Sequence, residues 1–126
     1  MRRGAAALSV LLLLLSLAAL NVRHLDALTE ELYAEIALSK EAWESGDYPA
    51  AEAHLLRAEA KWERNEAYTH VFIRHEEVSA VYDAFFALLG DLRAEDAGAA
   101  EGDRRALLCR LESIRRMEHP RFSSVF

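Results

Sequence analysis

The sequence has one cysteine, Cys109, and this shortage of thiols limits both its covalent structure and its chemistry. A single cysteine cannot form an intrachain disulfide, and it cannot supply the thiolates of a structural zinc site. We expect Cys109 to act as a small apolar side chain in a helix. Proline is also scarce, since only Pro49 and Pro120 occur. Neither glycine nor proline lies between Ala50 and Leu89, which favours long helices there.

The sequence also lacks the short motifs that mark common catalytic sites. It has no glycine-rich phosphate loop, no Gly-x-Ser-x-Gly nucleophile elbow and no His-Glu-x-x-His metal helix. We therefore expect no catalytic residues and no cofactor, and we expect that the protein is not an enzyme.

Basic residues are in the minority. The chain has 15 lysines and arginines against 21 acidic residues, and its formal net charge is −6. All 21 acidic residues but only 13 of the basic ones lie beyond Val22, so that part carries a charge of −8. Proteins that bind nucleic acid need a basic surface to neutralise phosphates. We therefore expect no nucleic-acid partner.

What the chain has in quantity is apolar residues, beginning with a run from Gly4 to Val22 that contains no charge. Nineteen helical residues span about 28 Å, close to the hydrocarbon thickness of a bilayer. Two interpretations remain open, an uncleaved signal anchor at residues 1–23 and a secretory signal cleaved near Ala18. We favour the anchor, because the apolar run continues past the cleavage site and nothing interrupts the helix before Gly46.

Charges beside the apolar run predict its orientation. Arg2 and Arg3 precede it, whereas Arg23 behind it is soon outnumbered by acidic residues. Basic residues favour the cytoplasmic side, so we expect a single-pass protein of the cell membrane with a cytoplasmic N-terminus. Residues 24–119 then form an extracytoplasmic domain, followed by a tail at residues 120–126. A secreted protein is the alternative, if the signal is cleaved.

The apolar positions after the run recur at helical spacing and predict an all-α fold. Gly46 and Asp47 suit the end of one helix, and the next begins near Tyr48. The two helices form an αα-hairpin in which Trp43 and Trp62 lie on the facing sides. The stripes that line the two helices, with Ser39 taking one turn of the first, are Leu25, Leu28, Leu32, Ile36, Ser39 and Trp43, and Tyr48, Ala51, Leu55, Ala58 and Trp62.

The apolar phase changes after Trp62. Either the chain breaks near residues 65–69, or the second and third helices are continuous. We favour the break, because folding back buries more surface in a small domain. The resulting fold is a transmembrane helix followed by about four helices in two αα-hairpins. The third helix is expected to bury Val71, Val78, Tyr82, Phe85, Leu89 and Leu92.

Residues 94–103 are rich in turn-forming residues and predict a mobile loop, with Asp103 as the N-cap of a last helix. That helix is expected to bury Leu107, Leu108, Leu111, Ile114 and Met117. It is the basic part of an acidic domain, and alternating helices return it towards the membrane. Its arginines should then face Glu30, Glu31 and Glu35, while the lipid surface is reached by Arg121, Phe122 and Phe126.

The densest group of polar residues lies between Glu66 and Glu77. If this segment is one helix, Glu66, His70 and Glu77 share a face and could bind a metal ion such as Zn²⁺. The same spacing is typical of a solvated helix face, and we expect no metal there. The remaining candidates for core or interaction residues are Trp43, Trp62, His75 and Glu76, with His75 expected near the buried boundary.

The order of several short segments resembles a known family. They are Trp43-x2-Gly46-Asp47-Tyr48, Leu55-Leu56, Lys61-Trp62-Glu63 and Phe72-Ile73-x-His75-Glu76-Glu77-Val78. Together they resemble the small Firmicute family catalogued as domain of unknown function 4363. The resemblance covers nearly the whole chain, although Ser79–Tyr82 replaces an expected Asn-x-Glu. It implies a membrane-anchored helical protein and supplies no catalytic residues.

Two functions are compatible with these patterns. The first is a non-enzymatic interaction module, such as an accessory subunit of a membrane or envelope complex with a protein partner. The second is a sensor domain that binds a small molecule or a metal ion through the Glu66–Glu77 region.

Overall fold

The computed structural model describes residues 2–118, apart from the side chains of His70, Phe72 and Glu118. This range contains five helices and no strand, which confirms the all-α prediction. The helices are α1 (Arg2–Glu44), α2 (Tyr48–Arg64), α3 (Glu66–Phe72), α4 (His75–Arg93) and α5 (Ala97–Glu118).

Helix α1 is one unbroken helix of 43 residues with two different surroundings, as the sequence predicts. An 18-residue apolar window in its first half has none of its residues buried. From Leu25 onward, one face turns into the core of the domain. The buried residues of that face are Leu25, Leu28, Thr29, Leu32, Ile36 and Ser39. Helix α1 is thus long and apolar enough to cross a membrane, and it continues directly into the domain.

The turn between α1 and α2 has the residues that its geometry requires. Gly46 has a positive φ of 83°, a conformation that glycine adopts without strain. The Asp47 carboxylate accepts a hydrogen bond from the Ala50 amide at 3.2 Å, and Pro49 lies in the first turn of α2. The rings of Trp43 and Tyr48 lie 4.7 Å apart across the turn.

Ser39 explains why the apolar stripe of α1 contains a polar residue. Its hydroxyl is buried and donates to the backbone oxygen of Ala51 on α2 at 2.7 Å. Two small residues at this crossing let the helices approach closely, and the hydrogen bond satisfies the hydroxyl. Trp62 has no exposed surface at the other end of this interface, and the half-buried Trp43 packs beside the core.

The chain breaks twice between α2 and α4. Helix α2 ends before Asn65, and a second break follows α3, where Ile73 is extended at φ −117° and ψ 143°. The predicted break is therefore confirmed, and the alternative of a continuous second and third helix is wrong. The second break was missed, and it places Val71 outside the buried stripe, with 74% of its surface exposed. Ile73 turns into the core instead.

The four longer helices form a ring in the order α1, α2, α4, α5, in which each contacts its two neighbours. Helices α1 and α2 are antiparallel, as are α4 and α5, because a turn of three residues joins each pair. Helix α4 contributes the largest share of the core through Val78, Val81, Phe85, Leu88, Leu89 and Leu92. Its opposite face leaves Phe86 79% exposed.

The prediction of a loop at residues 94–103 is wrong. Only three residues separate α4 from α5, and the side chain of Asp96 accepts a hydrogen bond from the Ala99 amide at 3.1 Å as an N-cap. Asp103 is therefore inside α5 rather than at its start. Ala100 is buried, so the small residues of this segment pack as helix. At the other end of α5, Met117 is exposed and not buried as predicted.

Helix α5 does return beside α1. The Arg115 guanidinium lies 3.3 Å from the Asp26 carboxylate and 3.4 Å from that of Glu30. Glu31 is exposed, and Glu35 pairs with α2 rather than with α5. The predicted lipid contacts of Arg121, Phe122 and Phe126 lie outside the described residues.

We predict that Trp62→Ala lowers the free energy of unfolding by about 3–5 kcal/mol, because Trp62 is fully buried in the core and its removal leaves a large cavity. Thermal denaturation of the full chain in detergent measures the change. Phe86→Ala removes an aromatic ring of similar size from the surface and is the control, with an expected change below about 0.5 kcal/mol. Equal effects of the two substitutions would contradict the described core.

Candidate functional site

A groove of about 530 Å³ lies between α1 and α5. We call it the α1–α5 groove. Its floor is largely apolar and includes Ile36 and Leu108, whereas Ala37 and Cys109 are small enough to leave the space open. The remaining lining residues are Tyr33, Lys40, Arg104 and Glu112. A volume of this size is typical of sites for small molecules, which are mainly apolar with a few polar groups.

One end of the groove is closed by a hydrogen bond between α1 and α5. The Tyr33 hydroxyl donates to Glu112 Oε2 at 2.9 Å. Burial and this carboxylate raise the pKa of Tyr33 to about 12, so the phenol stays protonated at physiological pH. The same hydrogen bond lowers the pKa of Glu112. This contact and the ion pairs of Arg115 fix the last turns of α5 against α1.

Arg104 is an unusual residue in the wall of the groove, because it is a cation with only 5% of its surface exposed. Its Nη1 atom donates to Glu101 Oε2 at 3.0 Å. Its Nε and Nη2 atoms are buried and have no hydrogen-bond partner in the described part of the chain. These two atoms form one edge of the guanidinium, the edge that binds a carboxylate or phosphate through two parallel hydrogen bonds. Unpaired buried donors of this kind are costly.

A pair of carboxyl groups joins α4 to α5. Asp91 on α4 lies beside Asp103 on α5, and its Oδ2 atom is buried. The hydrogen bond with Asp103, together with burial and the negative charges of Asp103 and Asp96, raises the pKa of Asp91 to about 6. Asp91 is therefore the carboxyl group that keeps its proton to a higher pH, because the neighbouring negative charges disfavour its ionised form.

Glu35 belongs to a separate polar cluster between α1 and α2. Its carboxylate lies 2.9 Å from His54 Nδ1 and 3.4 Å from Lys61 Nζ. The hydrogen bond to His54 and the interaction with Lys61 lower the pKa of Glu35. The sequence predicted that Glu35 faces the arginines of the last helix, but in the structure Glu35 belongs to the interface between α1 and α2.

The structure separates the residues of the candidate metal site. Helix α3 ends at Phe72, so Glu66 and Glu77 belong to different helices and do not share one helical face. The side chain of His70 lies outside the described ones. Among residues whose side chains are described, no group of three His, Cys, Asp or Glu could hold a metal ion. The predicted shared face required one helix over residues 66–77, and the structure has two helices there.

His75 and Glu76 lie in the first turn of α4 and are exposed. The expectation that His75 lies near the buried boundary is therefore wrong. The second break turns the start of α4 outward, and Val78 is the first residue of that helix in the core.

Sequence reasoning missed Arg104, although a signal was present. Arg104 lies four residues after Ala100 and three before Leu107, so it follows the helical spacing of the buried stripe. The loop assignment for residues 94–103 concealed this spacing. In the described part of the chain, two nitrogens of Arg104 have no hydrogen-bond partner. This feature depends on tertiary packing, so no sequence pattern predicts it.

The fold and the groove can now be compared with known proteins. One protein family, described as "Domain of unknown function (DUF4363)", has a model that matches residues 19–125. The chain belongs to this family. No curated protein and no solved structure matches it. The DUF4363 match includes the last part of the apolar run and all four bundle helices, so the α1–α5 groove lies wholly within the family domain.

We predict that Arg104→Met raises the free energy of unfolding by about 1–3 kcal/mol. Methionine keeps the apolar stem and removes a buried charge with two unpaired donors. Denaturant unfolding of the full chain in detergent measures the difference. The control is Arg105→Met, since Arg105 is exposed and pairs with the same Glu101 at 3.1 Å. A loss of more than about 1 kcal/mol in Arg104→Met would show that the guanidinium stabilises the fold.

We predict that Asp91→Asn changes how stability depends on pH. The folded state keeps the Asp91 proton up to about pH 6, whereas the unfolded chain releases it near pH 3.8. The free energy of unfolding therefore falls as the pH rises from about 4 to 6, and Asp91 adds no further slope above that range. Asp91→Asn should flatten this slope, and Asp83→Asn, at an exposed position of α4, should retain it. An unchanged slope in Asp91→Asn would contradict the raised pKa of Asp91.

Proposed function

We propose that the protein is a single-pass, membrane-anchored helical module that holds its four-helix bundle at the extracytoplasmic face of the membrane. The continuity of α1 is the observation that carries this proposal. Its first half is exposed and apolar on all sides, while its second half is a core helix of the bundle. An apolar helix of this length is stable in hydrocarbon, whereas in water its leucines would be exposed to the solvent.

The orientation follows from the charges next to the apolar run. Arg2 and Arg3 favour a cytoplasmic N-terminus, and the acidic bundle then lies outside. The absence of an interruption between run and bundle supports an anchor over a cleaved signal, because the apolar run continues past Ala18 to Val22 within one helix.

We propose that the module acts by binding a protein partner in a membrane or envelope complex, and not by catalysis. The polar groups at the α1–α5 groove support this. Tyr33 and Glu112 are engaged with each other, and the groove residues include no histidine that could act as a base for Cys109. On α4, Phe86 is 79% exposed, which is a suitable anchor for a protein contact.

A second candidate function is a small-molecule sensor. The observation that favours it is Arg104, whose unpaired guanidinium edge lies beside a groove of small-molecule size. Co-purification distinguishes the two functions. A stoichiometric protein partner lost on Phe86→Ala supports the first function, and a small anion retained by wild type but not by Arg104→Met supports the second.

We predict that Cys109 reacts with a membrane-impermeant maleimide in intact cells. It is the one thiol of the chain, it is exposed, and the proposed topology places it outside. Labelling of the membrane fraction before and after cell lysis measures its accessibility. Cys109→Ser gives the background signal. Labelling only after lysis would reverse the topology, and recovery of the protein in the medium would show that the signal is cleaved.

A further inference from the structure

A second cavity of about 500 Å³ lies at the end of the bundle nearest the apolar run. We call it the juxtamembrane cleft. Leu17 and Leu20 of α1 form one side, and Ala67 and Tyr68 of α3 form the other. Arg64, the last residue of α2, lies at its edge. The cleft thus combines two leucines of the apolar run with a cation of the bundle.

Polar contacts fix the α3 side of the cleft. The Tyr68 hydroxyl donates to the backbone oxygen of Asn21 at 3.0 Å and also contacts the Asn21 side chain. The His24 ring lies 4.4 Å from the Tyr68 ring, and His24 Nε2 is 2.9 Å from Asn65 Oδ1. These contacts hold α3 against α1, so the cleft is formed without a ligand.

The position of the cleft along α1 is that of a bilayer boundary. If the hydrocarbon ends near Val22, then Leu20 lies about 3 Å and Leu17 about 8 Å inside it at the helical rise. His24 lies about 3 Å on the other side, in the headgroup layer. One end of a ligand in this cleft therefore lies at the depth of the hydrocarbon layer, and its other end lies at the depth of the headgroups. Only an amphiphile suits both environments.

The charge at the edge of the cleft selects the headgroup. Arg64 is exposed and forms no ion pair with any side chain that the structure describes. A guanidinium matches phosphate geometry through parallel hydrogen bonds, and Tyr68 adds an aromatic ring of the kind enriched at membrane interfaces. Val71, one turn after Ala67 on the same face of α3, is 74% exposed and extends the apolar surface beside the cleft.

We propose that the juxtamembrane cleft binds one anionic diacyl phospholipid, with its phosphate at Arg64 and its acyl chains against Leu17 and Leu20. This inference rests on the proposed membrane anchoring. The ligand bridges α1 and α3, so it stabilises the junction between the spanning helix and the bundle.

Lipid binding is tested with the full chain, delipidated in detergent and then titrated with phosphatidylglycerol or phosphatidylcholine. Native mass spectrometry counts the bound lipid, and thermal denaturation measures the stabilisation. Wild type should retain one phosphatidylglycerol and show a higher Tm with it than with phosphatidylcholine. Arg64→Gln should weaken phosphatidylglycerol binding about fivefold, the effect expected for one basic residue at an anionic lipid.

Two further variants separate the cleft from general surface charge. Arg57→Gln removes an exposed arginine two turns earlier on α2 and should bind phosphatidylglycerol as wild type does. Ala67→Trp fills the cleft and should abolish retention of the lipid while leaving the Tm without lipid unchanged. Inorganic phosphate should give no stabilisation, because it lacks the acyl chains.

Equal binding of the two lipids by wild type, or equal losses in Arg64→Gln and Arg57→Gln, would overturn the lipid site. Stabilisation by inorganic phosphate alone would overturn the lipid in favour of a simple anion site. Sedimentation of the same variants with membranes reports on anchoring separately. If the protein sediments with membranes but shows no preference for phosphatidylglycerol, the lipid site is wrong and the anchor stands. If wild type stays in the supernatant, both the anchor and the lipid site are wrong.

Discussion

The continuity of α1 is the constraint on which the rest of the structure depends. A single hydrogen-bonded helix passes from an apolar segment with no buried residue into a segment that forms one side of the core. A helix satisfies its own backbone groups even in hydrocarbon, so a helix that spanned a membrane in the proposed way would need no adaptation on entering the bundle. The direction and rotation of the bundle then follow from α1, because α2 packs directly on it and α4 and α5 complete the ring.

The buried polar groups of the bundle differ in whether they have a hydrogen-bond partner. Thr29 donates to the Leu25 oxygen at 3.0 Å, and Ser39 donates to Ala51 on the facing helix. Among the described residues, the buried Trp62 Nε1 on α2 and two nitrogens of Arg104 on α5 have no partner. Unsatisfied groups reduce stability, so a ligand or partner that paired with the Arg104 nitrogens would stabilise the bundle.

The sequence predicted well where local rules and tertiary packing agree. The α1–α2 hairpin was predicted from helical spacing and from the end of the first helix at Gly46, and both features are present. The cap at Asp47 is an additional feature that the structure shows. The start of α5 was missed because Gly98 and Gly102 resemble loop residues, although the intervening alanines favour helix and Ala100 is buried. Val71 and His75 were misplaced for another reason. The spacing of apolar residues does not reveal the two-residue break at Ile73 and Arg74. This break changes which side chains before and after it face the core.

The two ends of the bundle differ in how much chain they contain, and this difference locates the adaptable surface. At the end far from the apolar run, the helices are joined by the short turns Ser45–Asp47 and Ala94–Asp96, which leave little room for a site. At the near end, α1 enters, α3 crosses between α2 and α4, and the last turns of α5 return beside Asp26. Helix α3 has seven residues, and it is held by the contacts of Tyr68 and of the preceding Asn65 with α1 and by the burial of Thr69. A change at this end of the bundle would therefore act on α3 first, and then on the start of α4, which follows α3 after only two residues.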